Sequence, residues 1–408
     1  MHIAHFTNTY KPNVNGVVRS VSTFRAGLTS LGHLVFIFAQ ETPHDYEEPE
    51  VFIFRYPGVN IPIFDYSLTL PASPFVNKLL PSLKLDIIHS NHPILLGNAA
   101  ADQAEKLDVP LVFTFHTSYL DYVDTYADYV PSSKAFIGGV VAEGLVQYLN
   151  RCQHIITPSD SIKQALEMFG GLTDRVTTIP TGIDLAQYQQ ADGQAIRQKY
   201  HLTSNKVLIS IGRLAEEKNW TTLLAAVAQV AAIHSEVRLI ILGDGPQREA
   251  LETYVQEVGL ADRVIFTGLV PFEDVPAHLK AADIFCFAST TETQGLVTME
   301  ALAAGLPVVA VDATGTRDAV VSGQEGLLTD NDPAALAQAI QQILEDDVLL
   351  AHLKTNALKK ADTFEMTIQA KKMVAVYEQA IEDKKANHYV RVDRDMVETA
   401  MKERQENA

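Results

Sequence analysis

Three short clusters in this chain combine residue types that suit a diphosphate and a polyol. The first, Pro12-Asn13-Val14-Asn15-Gly16-Val17, lies between an apolar run and a helical period. A glycine there lets a backbone amide approach an anion, and the N-terminus of the following helix adds partial positive charge. The second is Gly212-Arg213-Leu214-Ala215-Glu216-Glu217-Lys218-Asn219. The planar guanidinium of Arg213 and the compact ammonium of Lys218 match the two phosphates of a diphosphate. The third, from Thr291 to Ala301, sets Glu292 and Glu300 eight residues apart around Gly295. Two carboxylates there can accept from the vicinal hydroxyls of a ribose and a hexose. The amides of Gly295, Leu296 and Val297, where a helix begins, supply a second anion site. Each cluster alone has a plainer reading: a glycine turn, a solvated loop whose cations pair with Glu216 and Glu217, or ordinary charge at a helix start. Together they describe a site for a nucleotide-diphosphate sugar.

These clusters need a scaffold that delivers them to strand ends. His2–Asn8, Leu34–Gln40, Val51–Tyr56, Asp86–Ser90, Pro110–His116 and His154–Ser159 read as strands. Val18–Leu31, Leu95–Leu107, Phe136–Asn150 and Ser161–Phe169 read as helices between them. Near-continuous Val/Ile/Leu strands alternating with amphipathic helices indicate a parallel sheet covered on both faces. The pattern loosens into a polar stretch over Asp184–Asn205 and then restarts. Strands are expected at Lys206–Gly212, Arg238–Gly243, Val264–Thr267, Ile284–Ala288 and Pro307–Asp312, with a helix at Trp220–Ile233. The fold class is therefore α/β, with two parallel-sheet domains in tandem. Such sheets bind ligands at the carboxyl ends of their strands, which predicts an interdomain cleft. The expected division is 1–190, 203–365, a helix at 366–384 packing back toward the first domain, and a charged tail at 385–408. The tail is helix-prone without a clear apolar stripe and reads as a solvated helix or a frayed end. Gly243-Asp244-Gly245-Pro246 lacks the rest of a dinucleotide fingerprint, which disfavours a nicotinamide enzyme.

Composition narrows the function classes. The chain has 408 residues, 47% hydrophobic and 20% charged, as expected of folded domains with full cores. Cys152 and Cys286 have no partner at metal-ligand spacing, which argues against a disulfide scaffold or a zinc module and fits a reducing compartment. No secretory signal and no apolar run of about twenty residues is visible, so a cytoplasmic location is expected. The net charge of −18 argues against broad nucleic-acid binding. Phosphate binding must therefore rest on a few local donors.

The motifs Asn15-Gly16-Val17, Gly212-Arg213 with Lys218, Gly243-Asp244-Gly245-Pro246 and Glu292…Glu300 within ETQGLVTMEALAAGLPVVA carry a resemblance over almost all of residues 1–380. The chain resembles the retaining GT-B glycosyltransferases of family 4. That resemblance implies two Rossmann-like domains facing an interdomain cleft. It implies that Arg213 and Lys218 hold the donor diphosphate and that Gly16 touches it from the other domain. Glu300 would bind the ribose, Glu292 would lie beside the transferred sugar, and His116 matches the family's histidine next to that sugar. Retention in the family is described as front-face substitution in which the leaving diphosphate helps to deprotonate the acceptor. Glu292 then acts by electrostatics and positioning, and the cations take the place of a metal. No cofactor and no metal are expected. Asn8 stands where many family members carry an acidic residue.

A finer resemblance, to bacterial diacylglycerol glucosyl- and galactosyltransferases, rests on Phe6–Tyr10, Asp86–His89, Phe115–Val123, Tyr129-Val130-Pro131 and Glu292–Gly295. It implies UDP-glucose or UDP-galactose as donor and a glycerolipid acceptor, with the protein peripheral at the cytoplasmic face of a membrane. Asn15, Tyr119, Tyr122, Lys78 and Lys84 are the residues placed on the acceptor and membrane side. The segment Tyr66–Leu85 carries leucines, Phe75 and both lysines with no acidic residue, a composition suited to an interface. A core-packing helix and a tyrosine-rich loop are the plainer alternatives. A soluble sugar or polysaccharide acceptor, or a non-catalytic sugar-nucleotide-binding subunit, are the rival functions.

Overall fold

The computed structural model describes residues 1–42, 46–60, 67–69, 73–116 and 134–406. The chain divides into two compact units, Met1–Gly182 with Met366–Ala408, and Ile183–Glu365.

In the first unit the strands are β1 (His2–Thr7), β2 (Leu34–Gln40), β3 (Ile53–Tyr56), β4 (Gly58–Asn60), β5 (Ser67–Thr69), β6 (Ile87–Ser90), β7 (Leu111–Thr114), β8 (His154–Thr157) and β9 (Val176–Thr178). Seven of them form one sheet in the order β3-β2-β1-β6-β7-β8-β9, and β4 pairs with β5 separately. Every ladder of the seven-stranded sheet is parallel. Successive side chains point to opposite faces, so one strand feeds two cores. Phe36 and Phe38 join the cluster around Phe6, Phe113 and Leu149, whereas Val35, Ile37 and Ala39 join the one around Val21, Met373 and Tyr377. The double burial explains the unbroken apolar runs.

The second unit repeats the plan with β10 (Lys206–Ile211), β11 (Val237–Leu242), β12 (Val264–Gly268), β13 (Ile284–Phe287), β14 (Val308–Val311) and β15 (Gly326–Thr329). Its order is β12-β11-β10-β13-β14-β15, again with parallel ladders throughout. In both sheets the winding reverses once, between β1 and β6 and between β10 and β13. Such switch points open a crevice at the carboxyl ends of the flanking strands, because the connections leave them in opposite directions.

Two regions differ from the sequence expectation. The stretch Asp184–Asn205 holds two short helices, Leu185–Gln190 and Gln194–Lys199. They are tied down by Arg197, which donates to Ala281 O at 2.8 Å and pairs with Asp283 at 2.9 Å. The reading of the tail as a solvated helix or frayed end is corrected. Val390 is fully buried, and its amide donates to Cys152 O at 2.8 Å. Asp393 N donates to Gly170 O at 2.9 Å, and Val392 N to Asn150 Oδ1 at 3.1 Å. The helix Arg394–Glu406 then packs Val397, Ala400 and Met401 against the first core. These few apolar residues are diluted by charge in the sequence, so their stripe is weak, and backbone bonds do much of the anchoring. Among the described residues, no helix is long and apolar enough to cross a membrane.

Candidate functional site

In the second unit the chain leaves β10 at Ile211 and turns through Gly212 into a loop ending in the 3-10 turn Glu216–Lys218. The loop is fixed from behind. Trp220 Nε1 donates to Arg213 O at 2.9 Å, Leu214 N to Asp244 O at 2.9 Å, and Gln247 N to Leu214 O at 2.9 Å. The Gly243-Asp244-Gly245-Pro246 turn therefore acts as a buttress for the cationic loop. Arg213 is largely exposed and pairs with Glu217 at 2.9 Å. Burial works to raise the Glu217 carboxyl, but the Arg213 hydrogen bond and a bond from its own backbone outweigh it and leave it lowered. Lys218 turns inward and binds the Glu292 carboxylate. Of the two cations, Arg213 thus takes the local pairing that a solvated loop would give, and Lys218 does not.

Glu292 lies in the loop after β13, as the spacing predicts. Ser289, fully buried just past the end of β13, donates to the Lys218-bound oxygen of Glu292 at 2.7 Å, with Glu217 O at 3.3 Å as the alternative acceptor. Gly295 (φ +69°) opens the helix Leu296–Ala303. Thr298 N and Met299 N both donate to Gly295 O, at 2.9 and 3.2 Å, so the amides of Leu296 and Val297 precede the first intrahelical bond. Glu300 sits on this helix and is 4% exposed. The loop is moulded by Gly315 (φ +78°), where a Cβ would lie 2.6 Å from Glu292 O and 2.9 Å from Gln294 N.

In the first unit, Gly16 is the exposed first residue of the helix Gly16–Ser30. Asn15 caps that helix: its Oδ1 accepts from Val18 N at 3.0 Å, and its Nδ2 donates to Thr9 Oγ1 at 3.1 Å. The preceding residues are held by Glu50, which binds Arg25, Lys11 Nζ at 2.5 Å and Tyr10 Oη at 2.8 Å. Burial, then the Glu50 charge, push the Tyr10 phenol up to about 12. Asn8 is also committed, accepting from Leu96 N at 3.0 Å and donating to Ile94 O at 3.1 Å. Lys78 is exposed on the helix Pro74–Leu79, and Lys84 is exposed at φ +48° after the turn Leu80–Leu83. Tyr119 and Tyr122, with Tyr126 and Tyr129, lie outside the described residues.

His116 follows β7 and belongs to a network that the sequence clusters do not reveal. Its Nε2 is 3.0 Å from Asn91 Oδ1, and Asn91 Nδ2 lies 3.2 Å from Phe6 O and 3.5 Å from His5 Nδ1. His5 Nε2 is 3.3 Å from Tyr377 Oη, which is 2.6 Å from His89 Nδ1, and His89 Nε2 is 2.7 Å from Thr114 Oγ1. Burial pushes His5 down to about 3 and His92 down to about 4. Burial, with His92 and His5 as neighbours, pushes His116 down to about 3. All three imidazoles are neutral at ordinary pH. Ser289, Asn91 and Tyr377 are the residues that motif reading misses. The available signal was two histidines in apolar strands, His5 and His89, which the β1–β6 register places side by side.

Comparison with known proteins places these sites in context. Residues 14–187 match the family described as Glycosyltransferase Family 4, and residues 192–360 match Glycosyl transferases group 1. The chain is 35% identical over 326 residues to the alpha-monoglucosyldiacylglycerol synthase of Streptococcus pneumoniae, covering 76% of this chain and 71% of that protein. It is 29% identical over 390 residues to the protein of the same name from Acholeplasma laidlawii, covering 92% and 96%. A GDP-mannose-dependent alpha-mannosyltransferase of Mycolicibacterium smegmatis is 29% identical over 356 residues, covering 85% and 89%. Among solved structures, Anabaena HepE in complex with UDP has a TM-score of 0.74 at 22% identity, covering 93% of this chain and all of that one. Sucrose-phosphate synthase from Thermosynechococcus elongatus has a TM-score of 0.75 at 23% identity, covering 93% and 99%. These two likenesses establish a common fold, GT-B.

Proposed function

The chain belongs to glycosyltransferase family 4, and from that membership we propose that it moves glucose or galactose from a UDP-sugar to a glycerolipid, diacylglycerol or glycosyl-diacylglycerol, at a membrane surface. The observation that carries this reading is the 35% identity to an alpha-monoglucosyldiacylglycerol synthase over 76% of the chain.

We assign the donor end of the reaction to the second unit. Arg213 and Lys218 neutralise the diphosphate, and the amides of Leu296 and Val297 add oriented donors at a helix start. Glu300 accepts from the ribose. Glu292 lies beside the hexose, where a carboxylate positions hydroxyls and stabilises positive charge developing at the anomeric carbon. The bond from that carbon to the diphosphate breaks as the acceptor oxygen bonds to the same face. Attack and departure share one face, so configuration is retained, and the acceptor proton passes to the departing phosphate oxygen. Arg213 and Lys218 supply the positive charge that the leaving group requires, and no metal is invoked. From the first unit, the family resemblance assigns Gly16 to the diphosphate and His116 to the sugar.

Support for a membrane acceptor comes from the helix Pro74–Leu79 and the turn after it. Val76 and Leu80 anchor this segment in the core, while Phe75 (66% exposed), Lys78 and Lys84 face outward. A ring and two cations on a chain of net charge −18 form a local surface suited to lipid headgroups.

The test is release of UDP from UDP-glucose and UDP-galactose, with and without diacylglycerol or monoglycosyl-diacylglycerol in mixed micelles. Lipid-dependent release with one donor is expected. Equal release without lipid would transfer the assignment to a soluble acceptor, and turnover with GDP-mannose alone would replace the donor.

A further inference from the structure

The partners of Asn91 decide which way its amide faces. Phe6 O can only accept, so the Asn91 group 3.2 Å away is its NH2, and the opposite atom is its carbonyl oxygen. That oxygen also can only accept. The His116 nitrogen 3.0 Å from it, Nε2, must therefore carry hydrogen. The same logic runs through the network. If His5 Nδ1 accepts from Asn91, then His5 Nε2–H donates to Tyr377, Tyr377 donates to His89 Nδ1, and His89 Nε2–H donates to Thr114. Each donor meets one acceptor, and every imidazole is used as its neutral form.

We infer that Asn91 is a positioning residue that holds His116 as the Nε2–H tautomer, so that Nδ1 is the lone-pair atom offered to a hydroxyl of the bound donor sugar. Among the described residues, Nδ1 of His116 has no hydrogen-bond partner. The consequence is specific: His116 accepts a hydrogen bond from the sugar and does not donate one, and it is not a proton donor to the leaving group. A neutral residue fixed in one tautomer reads a hydroxyl by position, as other oriented histidines do when a second group holds the far nitrogen. This inference rests on the proposed place of His116 beside the sugar.

The tautomer is directly measurable in the intact protein by long-range 15N–1H correlation of the histidine rings, with His116 assigned from the signal lost in His116→Gln. The expected wild-type signature is Nε2–H, unchanged between pH 6 and 8. A Nδ1–H or imidazolium signature would overturn the inference without any variant having to fold. Asn91→Leu removes the acceptor while leaving the Asn91 backbone bond to Phe6 O in place. It should convert His116 to a mixture of tautomers and lower kcat by about tenfold or more, the size of one hydrogen bond. UDP affinity should be unchanged. An unaltered tautomer and full turnover in Asn91→Leu would also overturn it. His116→Asn keeps an oxygen near the Nδ1 position and should retain more turnover than His116→Gln, which can reach only the Nε2 position. If both substitutions leave turnover intact, His116 does not touch the sugar, and the failure then belongs to the proposed site and not to the Asn91 contact.

Discussion

Lys218 shows how much of this site is decided by one side chain. Its ammonium rests on Glu292, and the same carboxylate oxygen receives the Ser289 hydroxyl. Both charged side chains are mostly buried, at 20% and 15% exposure, so the pair is costly to break by removing one member. On the proposed role of Lys218, its removal also deletes a charge-assisted contact to the donor diphosphate, worth about 1.5–3 kcal/mol. Lys218→Ala should thus weaken UDP binding by roughly 10- to 150-fold in calorimetry. Glu292→Gln is the informative companion. It keeps an oxygen for Ser289 and releases Lys218, so UDP affinity should stay within about threefold while transfer is lost. Unchanged UDP affinity in Lys218→Ala would remove the lysine from the diphosphate.

At the scale of elements, the loop from β13 to the helix Leu296–Ala303 is shaped by a residue outside it. Gly315 has a positive φ, and the atoms a Cβ would meet are backbone atoms of Glu292 and Gln294, which cannot rotate away. Gly315→Ala should displace the Glu292 loop at a cost of about 1–3 kcal/mol. The prediction is a loss of turnover and of UDP affinity together, measured beside urea unfolding. A variant with full turnover would show that the loop tolerates the shift. Gly315 also marks the limit of what the sequence discloses. The β10 and β13 strand ends were legible because apolar runs stop at polar, glycine-bearing loops, and with them came Arg213, Lys218 and Glu292. The contacts of Gly315, Ser289 and Asn91 were not legible, since each depends on chain segments meeting through tertiary packing. Tyr377 makes the point most sharply: it reaches His89 across 288 residues of sequence, on a helix whose apolar pattern announces packing and no hydrogen-bonding role. The tail failed for a related reason. Its docking runs through the backbone atoms of Val390, Val392 and Asp393, which no side-chain pattern records.

For the molecule as a whole, titration is unevenly distributed between the two units. His5, His89, His92, His116 and His154 all belong to the first, and burial lowers each of them, to about 3 for His5 and His116 and about 4 for His92 and His154. In the second unit, burial lowers His278. A histidine held below its ordinary 6.5 binds its proton only in the unfolded chain over the intervening range. Its contribution to stability is complete above pH 6.5 and is lost as pH falls toward the folded value, at about 1.4 kcal/mol per pH unit for each group. Carboxylates held below 4.5, such as Glu50 and Glu217, act only further down. Burial works to raise Glu50, but its bonds from Lys11 and Tyr10 prevail. With five such histidines against His278, the loss between pH 6.5 and 4.5 falls mainly on the first unit. The single tryptophan, Trp220, reports on the second. Thermal unfolding followed by far-ultraviolet circular dichroism and by Trp220 fluorescence should nearly coincide at pH 7.5. At pH 5 the circular dichroism curve should gain an earlier transition while the fluorescence midpoint moves by only a few degrees. Equal shifts of both signals, or none in either, would mean that the buried histidines do not govern acid stability.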